Sequence, residues 1–251
     1  MIKEIVEGFL LHTDNSTLSR REHIEFLLRE RDIDFSIMTP TKNAPVYLED
    51  TSNIVVSFNK EIRPRIVLGA HYDIVPKSIG INDNTVAVAT LIDILPKLKD
   101  TKLPLDVVFF DKEESGMHGS ALYIEQTGKE NIKEAFILDV IGFGDTLVFS
   151  GPLAGDYLAK FDGFNNIKLG SELPSDNIVF GRQSIPAALL VAAPKEDIKK
   201  VEVVGHDPFY TMTYRAMFYE SFHNRSLDND INIINWNLVE SIADKLVELY
   251  G

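Results

Sequence analysis

The chain has 251 residues, no cysteine and a formal charge of −13 at neutral pH, from 38 acidic and 25 basic side chains. The acidic excess argues against nucleic acid as a partner, because phosphate binding needs clustered Lys and Arg. The lack of cysteine excludes disulfides and thiolate chemistry, so any metal must be held by His and carboxylate.

No apolar run approaches the roughly 18–20 residues that span a bilayer, and the length reads as one domain over residues 1–251. At the start, Lys3, Glu4 and Glu7 interrupt the apolar residues. That pattern predicts an amphipathic helix rather than a secretory signal, and with it a cytoplasmic protein without a membrane partner. Helical patterns over residues 2–11 and 19–31 precede strand-like stretches at 34–38, 45–48 and 53–58. Short loops between these stretches suggest an antiparallel meander joining a main sheet at its edge.

Four nearly continuous apolar runs follow, at residues 65–70, 105–110, 135–138 and 187–191. Such runs fit strands covered on both faces, as in a parallel sheet. Helical patterns at 85–98, 119–127 and 153–161 lie between them, and 234–250 closes the chain as an amphipathic helix. The alternation predicts a three-layer α/β/α domain with a central mixed, largely parallel sheet. Residues 165–175, polar and glycine-containing, read as a surface loop near the site.

The chemistry-bearing residues gather at the ends of the apolar runs. His71 closes the first, at the carboxyl edge where open α/β sheets place their ligands. Asp73 lies two residues on, so in extended chain its carboxylate can hold the imidazole and select the nitrogen that faces a metal. Asp83, in Gly80-Ile81-Asn82-Asp83-Asn84, reads by itself as a turn or helix cap, although an Asp there can bridge two cations. Glu113 and Glu114 follow the second run, and adjacent carboxylates there can divide the roles of base and ligand. Asp139 ends the third run, where an unpaired buried charge is costly. A second histidine is open among His12, His23, His118, His206 and His223. His12 and His23 are expected to face solvent, His118 begins a helix, and spacing does not choose between His206 and His223.

These stretches resemble a known family, the dizinc aminopeptidases related to glutamate carboxypeptidases and glutaminyl cyclases. The resemblance rests on Gly69-Ala70-His71-Tyr72-Asp73, Gly80-Ile81-Asn82-Asp83-Asn84, residues 110–120, Ile137-Leu138-Asp139, Leu173-Pro174-Ser175-Asp176-Asn177 and Ser184-Ile185-Pro186-Ala187. It implies a zinc-peptidase fold of the phosphorylase/hydrolase type and two Zn²⁺ ions per chain, with Co²⁺ or Mn²⁺ as substitutes. His71 and Asp139 would hold one ion, Glu114 and His223 the other, and Asp83 would bridge them. Glu113 would be the catalytic base, with Asp73 the second catalytic candidate as partner of the imidazole, and the Asp83–Asn84 peptide would be cis. The substrate would be a peptide or aminoacyl compound, and Tyr210, Tyr214 or Tyr219 could donate to the oxyanion. The chain departs from the family at Asn177, where Ser-Asp-His is common, and in its shortness. The competing readings are a single-zinc glutaminyl-cyclase-like transferase, a carboxypeptidase using Arg182 or Arg225, and a non-catalytic binding module.

Overall fold

The computed structural model describes residues 1–169, 172–198 and 227–251. In chain order its helices and strands are α1 (Ile2–His12), α2 (Thr17–Glu30), β1 (Ser36–Met38), β2 (Asn53–Ser57), β3 (Arg65–His71), α3 (Val86–Ile94), β4 (Leu105–Phe110), α4 (His118–Thr127), β5 (Ile132–Leu138), β6 (Thr146–Ser150), α5 (Ala154–Lys160), β7 (Asn166–Lys168), α6 (Asn177–Arg182), β8 (Ala187–Ala193) and α7 (Trp236–Tyr250). The four apolar runs became β3, β4, β5 and β8, and every residue of β3, β4 and β8 is buried.

The eight strands form one mixed sheet in the order β1-β2-β4-β3-β5-β8-β6-β7. Its centre, β4-β3-β5-β8, is parallel, while β2 and β6 run antiparallel to β4 and β8. Helices α1, α3, α5 and α7 cover one face, and α4 and α6 cover the other. This is the expected three-layer α/β/α arrangement. The chain leaves β3 through α3 to reach β4 on one side, then crosses through α4 to β5 on the other. That reversal leaves a crevice outside the carboxyl ends of β3 and β5.

Local chemistry explains the departures from the sequence pattern. The stretch expected as a strand at 45–48 is a 3-10 turn over Val46–Leu48, with only Leu48 buried. Pro45 lacks an N–H for a ladder, and Val46 and Tyr47 have no layer to pack against. The helix expected over 85–98 stops at Ile94 and tightens to 3-10 geometry over Leu95–Leu98, because Pro96 lacks the N–H the next turn needs. Strands β6 and β7 were absent from the sequence reading, and β7 lies inside the segment expected as a loop.

His12 is exposed as expected, but His23 is buried, with its ring edge-on to Phe9 and stacked on Phe26. Among the described residues its Nε2 has no hydrogen-bond partner. Burial, then the charges of His12, Arg20 and Arg31, lower its pKa to about 4. An unfolded His takes up a proton near pH 6.5, whereas His23 in the fold resists until about 4. The unfolded chain therefore binds more protons across that window, and stability falls as pH drops through it. Melting curves between pH 7 and pH 4 should show this loss, and His23→Phe should make the dependence shallower than in the unaltered chain.

Candidate metal centre

His71 is the last residue of β3 and its ring is buried. Nδ1 lies 3.2 Å from the Asp73 carbonyl oxygen and 3.4 Å from its carboxylate. Nε2 faces Asp83 at 3.1 Å and Asp139 at 3.4 Å. Donor atoms of His71, Asp83 and Asp139 all lie within 4.8 Å of one another. Strand register accounts for one of these meetings. Gly69 pairs with Ile137 across β3 and β5, so two residues further His71 comes level with Asp139.

Asp83 arrives from a turn rather than a strand. Gly80 opens that turn at φ 60°, and a side chain there would meet the Asp83 carbonyl at 2.7 Å. The Asp83–Asn84 peptide is cis. Beyond it, the Asn84 amide donates to the Leu138 carbonyl at 2.9 Å, fastening the turn to the end of β5.

The Glu pair sits in the loop after β4. The Asp73 carboxylate accepts the backbone N–H of Glu113 at 3.0 Å through one oxygen and that of Glu114 at 3.2 Å through the other. Asp73 thus joins the end of β3 to the Glu113–Glu114 main chain while flanking His71. Burial raises the pKa of Glu113 well above the usual carboxylate range; His71 opposes this, and Asp139, Asp176 and Glu114 reinforce it. For His71, burial disfavours the charged ring, but the charge of Asp139 and bonds to Asp139, Asp73 and Asp83 outweigh it, so its pKa stands well above 6.5. A ring so surrounded favours a positive charge beside it, and a cation can take the place of the proton.

Sequence reasoning missed the role of Asp176. It is fully buried at the start of α6, where an Asp reads as a helix cap, yet it makes no cap bond. Ser120 is the hydrogen-bonding side chain beside its carboxylate, and His71 is the nearby cation. Burial is the main cause that lifts its pKa to about 7; Ser120 and His71 oppose the rise, while Asp73 and Asp139 add to it. His118 instead lies edge-on to Tyr47, with ring centroids 5.5 Å apart. His206, Tyr210, Tyr214, Tyr219, His223 and Arg225 lie outside the described residues.

An imidazole, several buried carboxylates and no thiolate form a donor set suited to Zn²⁺, with Co²⁺ or Mn²⁺ able to substitute. Asp83, Asp139 and Asp176 crowd around the single imidazole of His71, and a cation there would offset their charge. The residues present therefore fit a metal centre.

A mixed α/β sheet with a His–carboxylate cluster at its switch point is the architecture of a metal-binding α/β domain. The fold is similar to that of the LapA aminopeptidase of Legionella pneumophila, with a TM-score of 0.73 at 14% identity over 99% of this chain and 70% of that one. It is also similar to a glutaminyl cyclase of Bacteroides thetaiotaomicron, with a TM-score of 0.71 at 16% identity over 100% and 96% of the two chains. The sequence pattern of Peptidase family M28 matches residues 53–250, and the chain belongs to that family. Among curated relatives, a vacuolar membrane protease of Candida tropicalis is 25% identical over 95% of this chain and 26% of its own length. Aminopeptidase YwaD of Bacillus subtilis is 28% identical over 70% of this chain and 44% of its own. The chain thus spans between about a quarter and a half of the length of these relatives.

The relatives' names overturn the expectation of a cytoplasmic protein, since several are vacuolar membrane proteases. Amphipathicity and surface charge describe how a domain meets water, not which compartment holds it. No described helix is long and apolar enough to cross a membrane.

The double acceptance by Asp73 generates a test. Asp73→Ala should weaken Zn²⁺ or Co²⁺ binding about 10–100-fold, the usual effect of removing a residue that supports metal ligands. Calorimetric titration of the metal-free protein measures it, and unchanged affinity would contradict the role of Asp73.

Proposed function

We propose that this chain is a zinc-dependent aminopeptidase that hydrolyses the bond after the N-terminal residue of a peptide. The observation that carries the reading is the seating of His71, with Asp83 and Asp139 at Nε2 and with Asp73 tying the Glu113–Glu114 main chain to the same strand end. In this reading His71 and Asp139 would hold one zinc ion, Glu114 and His223 would hold a second, and Asp83 would be shared between them. When bound, such a pair lowers the pKa of a water and polarises the scissile carbonyl.

The chain's own residues do the rest. Glu113 takes the water's proton and delivers it to the leaving amine. Asp73 fixes its main chain next to the cluster, which places the carboxylate for that transfer, and keeps it there as the proton moves. The family relation to aminopeptidases supports the same reaction.

A second reading, a single-zinc glutaminyl-cyclase-like aminoacyl transfer, draws on the fold match that covers nearly all of both chains. Metal content separates the two: about two zinc ions per chain supports the hydrolase and about one the transferase. Chelation should abolish hydrolysis of aminoacyl substrates, and Zn²⁺ or Co²⁺ should restore it. Glu113→Gln should retain metal while lowering kcat by roughly 10²–10⁴-fold, the usual span for a lost general base. A wild-type rate in that variant would remove Glu113 as base, and exclusive action on N-blocked substrates would overturn the aminopeptidase reading.

A further inference from the structure

The turn that carries Asp83 is held mostly from outside itself. The N–H of Ile79 donates to Asn229 Oδ1 at 2.8 Å, that of Ile81 to the Asp228 carbonyl at 3.1 Å, and that of Asp83 to Asp228 Oδ1 at 2.9 Å. Ser78 Oγ donates to Asp228 Oδ2 at 2.7 Å and accepts from the Gly80 N–H at 2.8 Å. Asp228 is fully buried, and both of its carboxylate oxygens are engaged on this one turn. Its hydrogen bonds to ionised oxygen are of the stronger kind, and they span 145 to 150 positions of sequence.

Arg20 of α2 closes the arrangement from the other flank. Its Nε donates to the Tyr72 carbonyl at 2.6 Å, between His71 and Asp73, and its Nη2 donates to Thr85 Oγ1 at 2.9 Å. Burial lowers its pKa to about 10, with Asp73, Asp228 and Asp83 holding it up, so it stays cationic at neutral pH. The turn is therefore clasped between a buried anion and a buried cation.

We infer that Asp228 is a positioning residue of the metal centre, fixing the main chain at Asp83 so that this carboxylate faces His71 and Asp139. Asp228 does so from the segment that carries His223 five residues earlier, so one stretch of sequence supplies both a proposed ligand and the brace for the bridging carboxylate. A ligand on an unbraced turn must be ordered when the metal binds, which weakens affinity; a braced one is ordered on folding. The inference rests on the metal-centre reading above.

The test is a calorimetric titration of the metal-free 251-residue chain with Zn²⁺, alongside urea denaturation of the same samples. Asp228→Ala should bind Zn²⁺ about tenfold more weakly or worse. Asp228→Asn should stay within about threefold of the unaltered chain, since Oδ1 still accepts from Asp83 while its amide faces Ser78 Oγ. The displaced Ser78 proton can turn to Asn229 Oδ1, 3.3 Å away. Rescue by Asn is what a merely structural or charge-only role would not give.

If the unaltered chain binds no zinc, the metal-centre reading fails and takes this inference with it. If the unaltered chain binds zinc and Asp228→Ala binds it equally well, the inference alone fails. Equal losses in the Ala and Asn variants would also overturn it, by assigning the effect to charge. Should Asp228→Ala not fold, Ser78→Ala removes a strut of the same clasp, and a several-fold loss of zinc affinity is expected; no loss would overturn the inference.

Discussion

His71 stands at the last position of β3 with carboxylates on both sides of its ring, Asp73 at Nδ1 and Asp83 and Asp139 at Nε2. Glu113 and Asp176 are within electrostatic reach of it as well. Two like charges about 4 Å apart repel by roughly 4 kcal/mol at an effective dielectric near 20. A few uncompensated pairs would rival the whole net stability of a domain, roughly 5–15 kcal/mol. The surrounding structure supplies the compensation: backbone N–H groups on Asp73, the buried guanidinium of Arg20, and the imidazole itself. One imidazole faces Asp83, Asp139 and Asp176 together, and that is where a cation would complete the balance.

This constraint explains why the scaffold is so apolar elsewhere. Strands β3, β4 and β8 are buried along their whole length, and α3 is buried at every position. A rigid, dry sheet lets adjacent strand ends meet at fixed spacing, which a surface site on loops cannot guarantee. Register alone then brings His71 level with Asp139.

Legibility in the sequence followed the range of the interactions. Apolar runs ending in single polar residues announced the parallel core, and with it His71, Glu113, Glu114 and Asp139. Strand β7 is only three residues long, and β6, although Gly144-Asp145 and Gly151-Pro152 bracket it, carries too short an apolar run to stand out. Pro45 and Pro96 marked their own departures, but the neighbouring apolar residues outweighed them in the pattern. His23 looked solvent-facing because a helical histidine with charged neighbours usually is; only the packing of α1 on α2 buries it. Asp176 was hidden for a different reason. An Asp before a helix reads as a cap, and nothing local reveals that its side chain turns inward. Asp83 came from family likeness, since its place depends on partners far along the chain.

That last dependence divides the centre into two parts. His71, Glu113 and Asp139 occupy positions set by β3, β4 and β5, which pair through connections of helix length and need only the central sheet. Asp83 does not, because the N–H groups of its turn are met by Asp228 and Asn229 near the other end of the chain. A sheet assembled without residues 227–229 would thus present His71 and Glu113 but leave Asp83 on a turn with unmet donors. Such donors, if buried, cost enough to expel the turn toward water. The geometry of the site is in this way tied to residues 227–229, which lie just ahead of the α7 that packs on α3.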